Sequence, residues 1–146
     1  MSSFPILKRL RAIDVNAELN QVLKSLESQI IALNTDEQLF KKGITISGAK
    51  IVPKYAQSTI KRKRKLGQPT NRVTTRDTGG YHQAFDVRFG QTEFEIVVEF
   101  QTNRGFDLAG YLETHYKGLE GLTEESINKL IGLVKPLLIN EIKRKL

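Results

Sequence analysis

The chain has 146 residues, 39% of them apolar and 27% charged, with a formal net charge of +7; this is the composition of one globular domain large enough to bury its own core. It has no cysteine and only two histidines, His82 and His115, which excludes disulfides, thiolate metal centres and cysteine nucleophiles and leaves too few imidazoles for a multi-histidine metal site. No apolar run reaches the ~18–20 residues of a membrane span, and the N-terminal residues lack the apolar stretch of a secretion signal, so a soluble product made in the cytoplasm is expected.

In chain order, residues 14–34 give the clearest helical pattern. Val15, Leu19, Val22, Leu23, Leu26, Ile30 and Leu33 recur at steps of three and four, so they share one face, and Asp14 or Asn16 can cap the N-terminus. Ile44-Thr45-Ile46 and Lys50-Ile51-Val52 flank Ser47-Gly48-Ala49 and predict a short hairpin or tight turn ended by Pro53. Residues 55–66 suit a second helix, with Gly67 at its left-handed C-terminal position. Val73-Thr74-Thr75 is β-prone, and Asp77-Thr78-Gly79-Gly80 reads as a turn.

Phe85-Asp86-Val87-Arg88-Phe89 alternates apolar and charged residues, as a half-buried strand does. After a turn at Gly90-Gln91-Thr92, residues 93–100 alternate again. Phe94, Ile96, Val98 and Phe100 point one way, and Glu93, Glu95, Val97 and Glu99 the other; the two strands are expected to pair antiparallel. Asp107 can cap a short helix through Leu108, Leu112 and Tyr116. Thr123 can cap a final helix to Leu146, with Leu122 and Ile127 as a hydrophobic staple. Its apolar face is read as Ile127, Leu130, Ile131, Val134, Leu138 and Ile142, with a kink or break near Lys135 imposed by Pro136. The expected fold is α+β: a small antiparallel sheet packed with an N-terminal and a C-terminal helix, in a single domain over residues 1–146 (an N-terminal helix to residue 36, an α+β body from residue 37).

The charge is segregated. Residues 38–76 hold eleven basic residues and no acid, including the run Lys61-Arg62-Lys63-Arg64-Lys65; residues 77–125 hold ten acids and three bases. Such a division suits either phosphate binding or a basic face of one copy meeting an acidic face of the next. On a helix, five consecutive residues spread over about 500°, so the basic run cannot turn wholly to one partner. No aromatic residue interleaves with it, which leaves base stacking unsupported. The tyrosines and phenylalanines read as packing.

Asp77-Thr78-Gly79 carries the triplet of aspartic proteases, whose dyad shares a proton between two shielded carboxylates. Here Thr74-Thr75-Arg76 precede it where those enzymes place apolar residues, so a structural turn is preferred, with Asp77 capping the turn or the start of a helix. No catalytic constellation, metal site or cofactor site is read elsewhere.

The ordered set of segments resembles a family of tailed-phage and prophage virion proteins, the small tail-completion or head–tail joining type and the Mu-like virion morphogenesis proteins. The features that carry it are Gln38-Leu39-Phe40-Lys41-Lys42-Gly43-Ile44, Gly48-Ala49-Lys50-Ile51-Val52-Pro53-Lys54-Tyr55-Ala56, Gly67-Gln68-Pro69, and residues 73–81 around Arg76-Asp77-Thr78-Gly79-Gly80. Tyr111-Leu112-Glu113, Tyr116 and Gly121-Leu122-Thr123-Glu124-Glu125 complete the set. The resemblance implies a non-enzymatic virion part, made in the host bacterial cytoplasm, that assembles with portal, neck or tail components and with copies of itself, for which a ring is one closed form. The interface residues expected on that reading are Lys61, Arg62, Lys63, Arg64, Lys65 and Arg72 on the basic side and Glu93, Glu95 and Glu99 on the acidic side. Two alternatives stand beside it: a basic DNA-binding accessory protein making non-specific contact, and a dimeric aspartic protease using Asp77.

Overall fold

Asp14 begins the part of the chain that builds the core. Its carboxylate accepts a hydrogen bond from the Ala17 amide at 3.1 Å, satisfying one of the free N–H groups at the start of a helix. The computed structural model describes residues 3–91 and 93–146. Before Asp14, residues Ser3–Ala12 form a helix (α1) that the sequence reading did not anticipate. The predicted long helix is divided into α2 (Val15–Ser25) and α3 (Glu27–Ala32), with the break at Leu26. The apolar stripe survives the break: Val22, Leu26, Ile30 and Leu33 are buried. Val15, at its start, is exposed.

The helical path does not end at Asn34. It widens into a π-helix over Leu33–Lys42 that Gly43 stops in the left-handed conformation, φ 62°. A methyl group on Gly43 would also lie 2.9 Å from the Val73 carbonyl oxygen, so both torsion and space require glycine there. The expected subdivision at residue 36 falls inside this element.

Ile44 and Lys50 pair as one isolated antiparallel bridge around the turn at Gly48, a tight turn rather than two strands. Helix α4 (Gln57–Lys65) ends as the sequence suggests. Gly67 has φ 70°, its amide donates to Arg64, and the Gln68 amide donates to the Lys63 carbonyl at 2.9 Å, the paired bonds of a Schellman motif. Val73-Thr74-Thr75 forms no strand, contrary to its composition. The Thr74 amide is taken by the Tyr55 hydroxyl at 2.9 Å, which leaves it unavailable to a β-ladder.

Gly79 turns the chain with φ 93° into the short helix α5 (Gly80–Gln83). Strands β1 (Phe85–Phe89) and β2 (Phe94–Val98) then pair antiparallel, with Phe85 opposite Val98 and Phe89 opposite Phe94. Phe85, Val87 and Ile96 enter the core while Asp86, Arg88 and Glu95 face out, as the alternation predicts. The Gly90 amide closes the turn on the Glu93 carbonyl at 2.8 Å; Thr92, expected in that turn, lies outside the described residues.

Asp107 caps α6 (Leu108–Tyr116) and Thr123 caps α7 (Glu124–Arg144), each through its side-chain oxygen. Of the kink or break expected near Lys135, the break does not occur: helix α7 runs continuously through Pro136. Its inward face is narrower than the sequence suggests: Leu130 and Val134 are buried and Leu138 half-buried, whereas Ile127 and Ile131 are exposed. The chain is thus an α+β fold in which the hairpin packs on α3 through β1, and α7 packs on α2.

Candidate interaction surfaces

Helix α4 presents Lys61, Arg62, Arg64 and Lys65 to solvent and turns Lys63 inward. Lys63 is 3% exposed. Its ammonium donates to Gln68 Oε1 at 3.1 Å and to the Arg76 carbonyl at 3.0 Å, and lies 4.9 Å from the centre of the Tyr55 ring. Arg72 is also held by the fold, with Nε donating to the Phe40 carbonyl at 2.8 Å and the guanidinium on the Asn71 side chain. Lys63 and Arg72, expected on a basic interface, are therefore tethers of the loop after α4, and the exposed basic face comprises the other four.

Glu93, Glu95 and Glu99 are all exposed on and beside the hairpin. Glu99 pairs with Arg88 at 3.2 Å, an exposed contact worth little in stability.

Asp77 caps nothing, contrary to the sequence expectation: α5 begins at Gly80, after Gly79, without a side-chain cap. Its exposed carboxylate instead pairs with Arg62 at 2.8 Å, and its carbonyl accepts from Gln68 Nε2 at 3.0 Å. Asp77, Thr78 and Gly79 form a bend between α4 and α5.

The bend forms one wall of a cleft that the sequence reading missed. The cleft has a volume of about 510 Å³ and lies between α4 and α6. Helix α6 brings Tyr111, His115 and Tyr116 to it, opposite Arg62 and Lys63. The Tyr111 and His115 rings stack at 5.6 Å with planes 8° apart. Their spacing of four residues behind the Asp107 cap is the signal that places them on one helical face. The aromatic residues absent from the basic run in sequence are thus supplied from another element.

Behind the cleft, Tyr81 is buried and its hydroxyl donates to Glu120 Oε1 at 3.4 Å. Burial holds both groups in their neutral forms to higher pH, and Glu113 adds to the effect on Glu120. His82, beside it, is pushed down to about 4 by burial. Its Nε2 lies 3.1 Å from the Thr74 carbonyl and 2.9 Å from Thr75 Oγ1, which assigns the ring proton to Nε2.

No family model matches the chain, and no curated protein or solved structure matches it. Among the described residues no helix is long and apolar enough to cross a membrane, and no cluster of potential metal ligands occurs.

Tyr55 joins the cleft to the core. Replacing it with phenylalanine removes the hydroxyl that holds the amide of Thr74, a residue 1% exposed. A buried donor left unpaired costs about 1–3 kcal/mol. Tyr55→Phe is expected to lower the unfolding free energy by that amount, read as a lower urea midpoint at an unchanged slope; an unchanged midpoint would show that the amide finds water.

Proposed function

We propose that the chain is a structural protein of a tailed-phage neck or tail, of the tail-completion or head–tail joining type, which acts by assembling with copies of itself and with other virion proteins. The sequence resemblance supplies the class. The observation that carries assembly is the uncovered apolar surface of α7. Leu130, Val134 and Leu138 follow at four-residue steps on the face toward α2, while Ile127 and Ile131 lie on one flank and Leu133 and Leu137 on the other. All four flanking residues are exposed. The apolar arc is therefore wider than the intramolecular contact, and it leaves an exposed apolar strip on each side of α2 for a protein partner to cover. The exposed α4 cations and the hairpin carboxylates give a head-to-tail contact its charge complementarity.

Mass photometry and analytical ultracentrifugation across salt concentration test this reading. Particles heavier than the 16.5 kDa chain are expected at low salt, and Ile131→Asp together with Leu137→Asp is expected to return them to monomer while leaving the helical signal unchanged. A wild-type monomer at low salt and high concentration would sink the proposal. Lys61, Arg62, Arg64 and Lys65 on one exposed helix favour the second reading, a DNA-binding accessory protein. That reading requires a duplex gel shift with a steep salt slope, lost on replacing those four residues.

A further inference from the structure

We infer that the cleft between α4 and α6 binds an extended acidic segment of a partner protein, one that sets a large apolar side chain beside a carboxylate. The identity of the partner as another protein rests on the assembly reading; the chemistry of the ligand rests on the cleft itself. Its volume of about 510 Å³ is that of a ligand site, which commonly spans ~300–1,000 Å³.

One side is cationic. Lys54, Arg62, Lys63 and Arg76 line the cleft against a single carboxylate, Asp77, which Arg62 already holds. The ammonium of Lys63 has only neutral partners: an amide oxygen, a backbone carbonyl and the Tyr55 ring. None of these carries a negative charge, and a carboxylate in the cleft would supply the counter-charge. The opposite side is apolar and aromatic. Leu108, Leu112 and Tyr116 line it, with Tyr111 half exposed at 50%. An occupant must therefore bring negative charge to one wall and apolar surface to the other.

Two observations favour a peptide over single-stranded nucleic acid, the other polymer that basic and aromatic walls can hold. First, Tyr111 and His115 lie parallel and offset, with centroids 5.6 Å apart, a pair made within one helix rather than rings splayed to receive bases between them. Second, Phe100 is shared with a neighbouring hollow lined by Glu99, Asp107, Glu113 and Glu120. A polymer with a charge on every residue would run from four cations into four carboxylates, whereas a short acidic segment keeps its charge within the cationic half.

The test is selection of a random dodecapeptide display library on the intact chain, followed by fluorescence anisotropy of the enriched peptides. The expected peptides place Asp or Glu next to Phe, Tyr or Leu. Arg76→Glu and Tyr111→Ser alter exposed residues and each is expected to weaken binding by about tenfold or more, with circular dichroism confirming the fold. Lys24→Glu, on the exposed side of α2, is expected to leave it unchanged. Selection without an acidic–apolar consensus, binding that ignores both cleft variants, or tighter binding of oligothymidylate that both variants abolish would each overturn the inference. An oligomeric chain that selects no such peptide overturns this inference alone, and a monomer that selects them through the cleft overturns the self-assembly reading alone.

Discussion

Replacing Gln38 with leucine is expected to destabilise the protein by about 2–6 kcal/mol, the cost of two backbone groups left without partners. Gln38 is 1% exposed and uses both ends of its amide. Nε2 donates to the Gly121 carbonyl at 2.8 Å, and Oε1 accepts from the Thr123 amide at 2.9 Å. Leucine fills much of the same space but leaves the half-buried Gly121 carbonyl and the buried Thr123 amide without partners, each costing about 1–3 kcal/mol. Asn34, fully buried, makes the matching pair: Nδ2 to the Leu119 carbonyl at 2.9 Å and Oδ1 from the Gly121 amide at 2.8 Å. The two amides hold the backbone that leads into α7, and Gly121 is common to both. The double variant is therefore expected to cost less than the sum of the singles, since the segment is already released after the first. Total stability of a domain this size is about 5–15 kcal/mol, so either single change consumes a large part of it. Urea unfolding followed by circular dichroism measures the effect, with Glu37→Gln as the comparison. Glu37 is a neighbour on the π-helix whose bond to Lys129 lies at the surface, and its loss is expected to cost less than about 1 kcal/mol. A Gln38→Leu midpoint no lower than that of Glu37→Gln would refute the role given to the amide.

These clamps explain where the sequence was legible and where it was not. Val22, Leu26 and Ile30 declare their face because helical burial repeats locally, and Phe85, Val87 and Ile96 do the same at the period of a strand. Asp107, Thr123 and Gly67 are equally local, each acting on backbone within a few residues. Asn34 and Gln38 are different. Their partners lie more than 80 residues away, so a polar, helix-indifferent stretch gave no sign that it would be buried and wound as a π-helix. Thr74 likewise looked like strand because its partner, the Tyr55 hydroxyl, belongs to another segment. On α7 the composition reported the full apolar arc, while α2 covers only its middle. Among the candidate site residues, exposure of Lys61, Arg64, Lys65 and Glu95 could be inferred from charge alone. The inward turn of Lys63 and the cleft that joins α4 to α6 depend on tertiary placement, which no local pattern carries.

Acid is expected to destabilise the protein through His82 before the surface carboxylates contribute. His82 is 8% exposed, and burial lowers it to about 4 from the usual 6.5. The groups around it pull in opposite senses: the Thr74 carbonyl and Asp36 favour the charged ring, Arg76 opposes it, and burial outweighs them all. The folded state therefore keeps a neutral ring, with Nε2–H directed to Thr74. Its Nδ1, buried without a partner among the described residues, has nowhere to place a second proton. Because the folded value is depressed, the unfolded chain takes up the proton first as pH falls. The contribution of His82 is complete above pH 6.5 and is lost through the window from 6.5 to 4, the loss reaching about 3 kcal/mol at the lower end. Glu37, Glu125 and Glu141 are held below the ordinary carboxylate value by Lys129, Lys42 and Arg144 and act in the same direction only at lower pH. Glu120, raised by burial, acts in the opposite direction. Unfolding free energies measured at intervals from pH 7 to pH 4 should fall steeply for the wild type. His82→Phe keeps the ring in place against Tyr81 and Phe85, with which His82 makes tilted and edge contacts, but it has nothing to protonate. It is expected to start lower at pH 7, having lost the bond to Thr74, and to change little down to pH 5. Parallel curves for the two proteins would mean that the acid sensitivity resides elsewhere.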